Sequence, residues 1–175
     1  MFDPGSGEEV PTGSVGEIWV RSEMVMKGYR NKPEETSKTI TSDGWLRTGD
    51  AAYADADGYV FLFDRFKDMI VSGAENVYPA EIENVLYDHP GIAEVAVIGI
   101  PSERWGETPR AMVVVRPGVQ LDESAVIEFA RTRLARYKCP SSVEFVEVLP
   151  RNTSGKVLKK DLRAPFWVGQ DRAIS

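Results

Sequence analysis

After residue 78, the apolar residues of the chain follow two patterns, one typical of a helix and one typical of strands. Ile82, Val85 and Leu86 fall on one face of a helix over residues 79–87, and Pro79 occupies its first turn, where proline is tolerated. Three further segments have the length and apolar content of strands. These segments cover residues 94–100, 111–115 and 143–148. The pattern therefore predicts one helix and three strands in this region.

A second helix is predicted between the last two strands. Asp122 is a good N-cap, and Leu121 and Val126 have the spacing of a hydrophobic staple. The apolar face of this helix is formed by Val126, Phe129, Ala130 and Leu134. The order helix, strand, strand, helix, strand is that of an α+β domain, in which helices cover a three-stranded sheet.

The first third of the chain has the pattern of short strands and turns. Residues 16–21 alternate polar and apolar side chains, and residues 51–53 and 59–63 flank a turn at Asp55–Gly58 as in a hairpin. Pro33 is placed to open a short helix. Because an isolated hairpin is only marginally stable, this stretch is expected to be the incomplete, β-rich end of a larger N-terminal domain.

The pattern changes near residues 64–67, which predicts a domain boundary at that point. The end of the N-terminal domain then covers residues 1–63, and the C-terminal domain covers residues 68–165. Residues 166–175 are expected to form a loosely held tail.

Composition limits the classes of protein to which the chain can belong. Of its 175 residues, 42% are hydrophobic and 27% are charged, so it can build a core. The net charge of −6 argues against a general nucleic-acid binder, which needs an excess of Lys and Arg. The single cysteine, Cys139, excludes an internal disulfide, and the single histidine, His89, has no partners for a zinc site. No metal site is expected in the chain.

Apolar runs in the sequence are all shorter than the roughly 18–20 residues of a membrane span. The first eleven residues contain three carboxylates and neither Lys nor Arg, which is the opposite of a secretory signal. We therefore expect a cytoplasmic protein. The sequence leaves peripheral membrane contact open.

Two polar segments near the predicted hairpin contain candidate ligand-binding residues. In residues 43–50, Asp50 follows Gly49 in a turn, where its carboxylate is well placed to accept hydrogen bonds from a vicinal diol such as ribose. In residues 64–68, the planar donor fork of Arg65 could grip a ribose or a phosphate. Taken singly, the two segments are better explained as an ordinary turn and a solvated linker.

Two later segments place glycine and lysine in loops. Gly73, in residues 71–83, lets a ligand approach the backbone closely in front of a helix N-terminus. Gly155 and its polar neighbours hold Lys156, in residues 149–160, on a mobile loop from which an ammonium can reach a negatively charged transition state. Taken singly, these segments are a capped helix entry and an exposed surface lysine.

Taken in order, the segments resemble those of the acyl-adenylate-forming superfamily, which contains acyl-CoA synthetases, adenylation domains and luciferases. The match covers nearly the whole chain, in one order and at compatible spacing. Residues 43–67 are similar to the signature of the fatty-acyl-CoA synthetase, or long-chain fatty-acid–CoA ligase, type. The other matching segments are Gly16-Glu17-Ile18 through Met26-Lys27-Gly28-Tyr29, Asp43 to Asp50, Asp64 to Glu83, and Pro150 to Lys160.

The resemblance implies roles for four residues in the reaction. Asp50 is implied to bind the ribose hydroxyls of ATP and of the adenylate, with Arg65 assisting it. Lys67 matches the hinge, within residues 64–67, about which the C-terminal domain swings between adenylation and thioester formation. Lys156 matches the catalytic lysine that contacts the α-phosphate and the acyl carboxylate in the first half-reaction.

The resemblance also implies a path for coenzyme A. After the swing, the loop Ser72–Ala74 is implied to line the tunnel for the pantetheine arm, where the missing Cβ of Gly73 admits a thin ligand. For the nucleotide end of coenzyme A, the candidates are Trp105, Tyr137 and Lys138, through stacking and phosphate contact. Surface packing explains Trp105 about equally well.

Several parts of the family's machinery have no counterpart in this sequence: the phosphate loop, the acyl pocket and the magnesium-binding carboxylate. The implied activity converts a carboxylic acid, ATP and CoA into an acyl-AMP and then an acyl-CoA, with Mg²⁺ bound in the missing N-terminal region. The chain is thus expected to be a C-terminal fragment, inactive alone, whose partner is the missing N-terminal domain. Two alternatives stay open: an adenylating enzyme that loads a carrier protein, and a stand-alone binding or interaction module.

Overall fold

Three antiparallel strands form the framework of the first unit of the chain, Met1–Phe66. The computed structural model describes residues 1–169 of the sequence. The elements of this unit are β1 (Gly16–Val20), α1 (Pro33–Thr39), β2 (Leu46–Ala54) and β3 (Val60–Arg65), with β2 between the other two strands. The predicted hairpin is present, with Ala52 opposite Leu62 and Tyr53 opposite Phe61, and Pro33 opens α1 as predicted.

The first unit buries little of its own surface. Its buried residues are Gly16, Glu17, Ala51 and Ala52. The apolar residues of β3 are largely exposed, with Leu62 at 69% and Val60 at 51% of their full accessibility. A sheet with so few buried side chains gains little hydrophobic stabilisation, because that stabilisation scales with the apolar area removed from water.

The second unit, Lys67–Ser175, contains a larger sheet with helices on both of its faces. Its strands are β4 (Ile70–Ser72), β5 (Glu75–Val77), β6 (Ile92–Ser102), β7 (Gly106–Val115) and β8 (Ser142–Phe145). Its α-helices are α2 (Pro79–Tyr87), α3 (Glu123–Arg131) and α4 (Lys159–Arg163). The strands follow the order β5-β4-β7-β6, and β8 pairs in parallel with β7.

The α+β class is confirmed, but the predicted number of strands in the sheet is too small. The three predicted strands correspond to β6, β7 and β8, and the sheet has five strands in total. The two additional strands, β4 and β5, are three residues each and are joined by a tight turn at Gly73. Strands of that length carry too few alternating positions to be recognised from an apolar pattern.

Both faces of the large sheet are buried, which explains the nearly continuous apolar sequence of its central strands. On one face, Val95 and Val97 of β6 belong to a core that also contains residues of α2 and α3. On the other face, Ala96 and Ile98 pack with Leu149 and with side chains around α4. The predicted cap of α3 is confirmed, since Asp122 Oδ1 accepts a hydrogen bond from Ala125 N at 2.8 Å.

Cys139 lies in the larger core, with 8% of its surface exposed. Desolvation by burial raises the pKa of its thiol, so the group stays protonated near neutral pH. It therefore acts as a small packing residue.

Two ion pairs fix α4 to the rest of the second unit. Arg163 Nη1 lies 2.8 Å from Asp68 Oδ1, and both side chains are 13% exposed. Lys159 Nζ lies 2.8 Å from Glu83 Oε1, which also accepts a hydrogen bond from Val97 N at 2.7 Å. The pairs are largely screened from water, so removing one partner would leave a charge with poor solvation. The segment before α4, which contains Lys156, is thus joined to a well-held helix.

The start of the predicted tail has contacts of its own. Phe166 packs against the core that includes Ile98, and Trp167 Nε1 donates a hydrogen bond to Gly99 O at 3.0 Å. Phe166 and Trp167 are therefore held against the sheet, unlike the loosely held tail that was predicted. Residues 170–175, the rest of that prediction, lie outside the described residues.

The difference in burial between the two units predicts a difference in local stability. In the isolated chain, we expect the amides of β6 and β7 to exchange slowest with solvent and those of β1, β2 and β3 to exchange fast, because opening a poorly buried sheet costs little free energy. Hydrogen exchange followed residue by residue measures this directly. Equal protection of the two sheets would contradict the expectation.

Candidate functional site

Asp50 and Arg65, the two predicted nucleotide-binding residues, lie opposite each other on β2 and β3. Arg65 Nε donates a hydrogen bond to Asp50 Oδ1 at 3.1 Å, and its Nη2 donates to Thr48 O at 3.1 Å. The side chains are 50% and 39% exposed, so the pair contributes little to stability. Within residues 1–169, Asp50 Oδ2 accepts no hydrogen bond. The pair thus offers a ligand one carboxylate oxygen and an oriented guanidinium.

Glu17 is a residue of this region that sequence reasoning quoted in a motif without assigning it a role. It is 4% exposed, and its Oε1 accepts a hydrogen bond from Gly49 N at 2.8 Å. Its Oε2 accepts from Trp19 Nε1 at 2.8 Å and from Arg47 Nε at 3.2 Å. The buried carboxylate therefore holds the backbone directly before Asp50. A carboxylate on the same strand face as Trp19 was the signal available in the sequence.

Asp43, the other carboxylate of the 43–50 segment, forms a hydrogen bond within its own turn. Thr41 Oγ1 donates a hydrogen bond to Asp43 Oδ1 at 2.6 Å, which lowers the pKa of that carboxyl. Asp50 differs from Asp43 in accepting a hydrogen bond from an arginine through one oxygen while its other oxygen accepts none from residues 1–169.

Lys67, the predicted hinge residue, is exposed and lies in a short 3₁₀ helix, Phe66–Asp68. The chain divides into its two units between Phe66 and Lys67. Residues before and after Lys67 are held: Arg65 pairs with β2, and Asp68, the last residue of the 3₁₀ helix, pairs with Arg163. The role of Lys67 as a pivot stays a prediction.

Two of the predicted coenzyme A residues meet beside the β4–β5 turn. Gly73 N donates a hydrogen bond to Trp105 O at 2.7 Å. Gly73 has a φ of +65°, and a Cβ placed on it would lie 3.2 Å from Trp105 Cε3. Ser72 and Ala74 flank Gly73 in the same turn, and Trp105 is 47% exposed. The absence of a side chain at Gly73 therefore lets the indole ring lie directly against the backbone.

Tyr137 and Lys138, the other candidates for coenzyme A, lie in a short 3₁₀ helix, Arg136–Lys138, beside β5. Tyr137 is 44% exposed. Lys138 Nζ lies 2.7 Å from both carboxylate oxygens of Glu81. Its charge is thus already balanced by Glu81, and a phosphate would have to share the ammonium with that carboxylate.

Lys156 is exposed on a tight turn between Arg151 and Val157, which form an isolated β-bridge. Asn152 N donates a hydrogen bond to Lys156 O at 3.0 Å, and Gly155 N donates to Asn152 O at 2.9 Å. Its ammonium has no hydrogen bond or ion pair with any residue from 1 to 169. The loop expected from the sequence is a tight turn whose backbone groups bond to one another and which presents an unpaired cation.

No helix in residues 1–169 is long and apolar enough to cross a membrane. Nor do three or more His, Cys, Asp or Glu side chains within that range lie together as metal ligands.

Residues 81–156 match the family model of the AMP-binding enzyme C-terminal domain. This match covers α2 from its third residue onward, the central strands β6 and β7, α3, β8 and the turn that ends at Lys156.

Curated relatives and solved structures agree with this match. The 3-[(3aS,4S,7aS)-7a-methyl-1,5-dioxo-octahydro-1H-inden-4-yl]propanoyl:CoA ligase of Rhodococcus jostii is 57% identical over 157 residues, which are 90% of this chain and 30% of the relative. The fatty acid–[acyl-carrier-protein] ligase ScoC of Streptomyces coeruleorubidus is 48% identical over 171 residues, which are 98% of this chain and 33% of the relative.

The crystal structure of ATP-bound MatB from Rhodopseudomonas palustris is similar to this chain with a TM-score of 0.87 and 42% identity, over 94% of this chain and 33% of that one. The chain spans about a third of the length of the curated relatives it matches. Those relatives are matched over their C-terminal part. The chain therefore belongs to the acyl-adenylate-forming superfamily, in which its relatives include acyl-CoA ligases.

Proposed function

We propose that the chain is the C-terminal part of an ATP-dependent acyl-CoA synthetase of the fatty-acid–CoA ligase type. In the first half-reaction, a carboxylate oxygen attacks the α-phosphorus of ATP, forming an acyl-AMP and releasing pyrophosphate. In the second, the thiol of CoA attacks the acyl carbonyl, forming a thioester and releasing AMP. The observation that carries the proposal is the exposed, unpaired Lys156, held on an ordered turn within a domain of this family.

Lys156 is proposed to act in the first half-reaction. The carboxylate and the α-phosphate are both anionic, and they must approach before the new O–P bond forms. An ammonium between them offsets their repulsion and stabilises the charge that develops in the transition state. Because no side chain in residues 1–169 neutralises Lys156, its full charge is available for this role.

Asp50 and Arg65 are proposed to hold the ribose of ATP and of the adenylate. The open oxygen Oδ2 of Asp50 accepts from a ribose hydroxyl, and Arg65 keeps the carboxylate oriented through Oδ1. The turn that carries Asp50 is fixed by the buried Glu17, so the carboxylate is oriented before the ligand arrives. Such preorganisation lowers the cost of binding.

The second half-reaction is proposed to use the surface around Gly73. The pantetheine arm passes over the β4–β5 turn beside Trp105, and the exposed rings of Trp105 and Tyr137 are available to the nucleotide end. Lys138 is proposed to contact a phosphate of CoA, for which its ammonium also has Glu81 as a competing partner. Mg²⁺ is proposed to bind the triphosphate in the N-terminal region that the family resemblance implies.

The proposal is tested on the full-length protein that carries this chain. Carboxylate-dependent exchange of pyrophosphate into ATP reports the first half-reaction, and thioester formation with CoA reports the second. A panel of fatty, aromatic and dicarboxylic acids identifies the acyl class. An enzyme of the proposed type gives both signals with at least one acid, whereas no exchange with any acid would reject the proposal.

A second candidate acceptor is a carrier protein, favoured by the 48% identity to ScoC. The same thioester assay with an acyl-carrier protein in place of CoA distinguishes the two acceptors. Transfer to the carrier protein without transfer to CoA would identify an adenylating enzyme that loads a carrier.

Gly73→Ala is expected to weaken the use of CoA selectively. The new Cβ would lie 3.2 Å from Trp105 Cε3, at a φ of +65° that disfavours any side chain. We expect kcat/KM for CoA to fall about tenfold, the order of a small misplacement in a narrow site. The rate of acyl-adenylate formation should stay near that of the native enzyme.

Gly118→Ala is the matched control for this substitution. Gly118 has a φ of +79°, and nothing lies within 4 Å of an added Cβ, so it brings the same kind of backbone strain without a clash. If Gly73→Ala and Gly118→Ala alter kcat/KM for CoA equally, the role assigned to the β4–β5 turn is wrong.

A further inference from the structure

The side chain of Asn152 is the centre of the turn that carries Lys156. Its Oδ1 accepts hydrogen bonds from Ser154 N at 3.0 Å, from Ser154 Oγ at 2.8 Å and from Lys156 N at 2.9 Å. One amide oxygen thus closes the turn from its first residue to its last. Short polar side chains commonly replace backbone acceptors in this way at turns.

Arg151 joins this turn to the central sheet. Its Nη1 donates a hydrogen bond to Gly155 O at 2.6 Å, and its Nη2 pairs with Glu94 Oε2 of β6. Gly155 O and Lys156 N belong to the same peptide group. Arg151 therefore holds the carbonyl of this peptide, and Asn152 holds its N–H. Together with the ion pairs of α4, these contacts hold the backbone on both sides of Lys156.

We infer that Asn152 is a positioning residue for Lys156 in acyl-adenylate formation. The inference rests on the proposed function, because it assigns Asn152 a role only through Lys156. A lysine side chain has four rotatable bonds, so its ammonium can occupy many positions. A fixed Cα restricts these positions to a smaller region near the reacting oxygens. Asn152 fixes that Cα through its hydrogen bonds within the turn.

Removing the acceptor oxygen of Asn152 should therefore slow acyl-adenylate formation and not thioester formation. Asn152→Ala removes all three hydrogen bonds, and Lys156 N and Ser154 N are then left to water. The turn loses the contacts that select one backbone conformation, and Lys156 samples positions that do not offset the charge at the α-phosphate. Losses from misplacement of a catalytic group by about 1 Å reach a factor of about 10².

The test compares the two half-reactions in the full-length protein. Asn152→Ala is expected to slow acyl-adenylate formation about tenfold. Thioester formation from supplied acyl-AMP is expected to change by less than about threefold, since Lys156 acts in the other step. The matched control is Asn84→Ala, which removes an exposed asparagine on α2 and should leave both rates unchanged.

Amide hydrogen exchange supplies a readout that does not depend on activity. In Asn152→Ala, the amide of Lys156 should lose protection while the amides of β6 and β7 keep theirs. Asn152→Asp keeps an acceptor oxygen at the same position, so it should retain the protection of the Lys156 amide. Loss of that protection in Asn152→Asp would overturn the account of Asn152 as an acceptor.

Three kinetic outcomes separate the inference from the proposed function. If Lys156→Ala forms acyl-adenylate slowly and Asn152→Ala forms it at the native rate, the inference fails and the proposed function stands. If Asn152→Ala slows both half-reactions equally, its role is general stability and the inference also fails. If Lys156→Ala itself adenylates at the native rate, the proposed role of Lys156 fails and the inference fails with it.

Discussion

Replacing Lys156 by alanine in the full-length enzyme is expected to slow acyl-adenylate formation by about 10²-fold or more. That loss is the scale measured when one electrostatic donor is removed from a developing negative charge. The structure gives a reason to expect a large effect. The ammonium is exposed and unpaired within residues 1–169, so no neighbouring carboxylate neutralises its charge. Pyrophosphate exchange measures the adenylation rate.

Thioester formation from supplied acyl-AMP should be much less affected by Lys156→Ala, because no phosphate bond is made in that step. Lys160→Ala is a suitable control, since Lys160 is an exposed lysine four residues further on, in α4. Equal losses in the two half-reactions would contradict the assignment of Lys156 to adenylation.

Lys67→Pro is expected to preserve one half-reaction and cripple the other. Proline fixes φ near −65° and removes the N–H group, so a residue that must change its backbone angles between two conformations is confined to one. Lys67 is the middle residue of the 3₁₀ helix Phe66–Asp68. The chain already carries Pro165 in the middle of another 3₁₀ helix, Ala164–Phe166, so this local geometry accommodates proline.

The position of the proposed pivot also follows from the contacts on each side of it. Arg65 is held in register opposite Asp50, and Asp68 is paired with Arg163 at 2.8 Å. Only Phe66 and Lys67 lie between these two held residues, which supports the proposal of a pivot in this segment.

Separate assays of adenylation and thioester formation measure the effect of Lys67→Pro. Lys67→Ala provides the comparison, because it removes the side chain and leaves the backbone free to rotate; it should support both steps. If Lys67→Pro carries out both half-reactions at the native rate, Lys67 is not the pivot.

Local signals in the sequence predicted much of the second unit. The spacing of Ile82, Val85 and Leu86 located α2, and the position of Asp122 located the start of α3. Each of these elements is specified by residues within a few positions of one another. The same holds for the β2–β3 hairpin, whose turn residues lie between two apolar runs.

Contacts between distant residues were not predictable from such patterns. Lys138 and Glu81 are separated by 57 positions, and Arg163 and Asp68 by 95. Their pairing depends on how the strands and helices assemble, which no local spacing encodes. The hydrogen bonds of Glu17 to Gly49 and to Arg47 depend in the same way on the pairing of β1 with β2.

The role of Asn152 was missed for a different reason. Its hydrogen bonds are local, but an Asn in a polar stretch is compatible with several kinds of turn. The sequence could place Lys156 on a loop; the backbone geometry was needed to show that the loop is closed by one amide oxygen.

The burial of Cys139 has a practical consequence for an assay of the proposed reaction with CoA. Disulfide reagents that release a coloured thiolate would follow the disappearance of free CoA, provided that the protein itself does not react. Cys139 is the only cysteine of the chain, it is 8% exposed, and burial raises its pKa, so little of the nucleophilic thiolate is present to attack such a reagent. The same shielding keeps this thiol from competing with CoA for an activated acyl group.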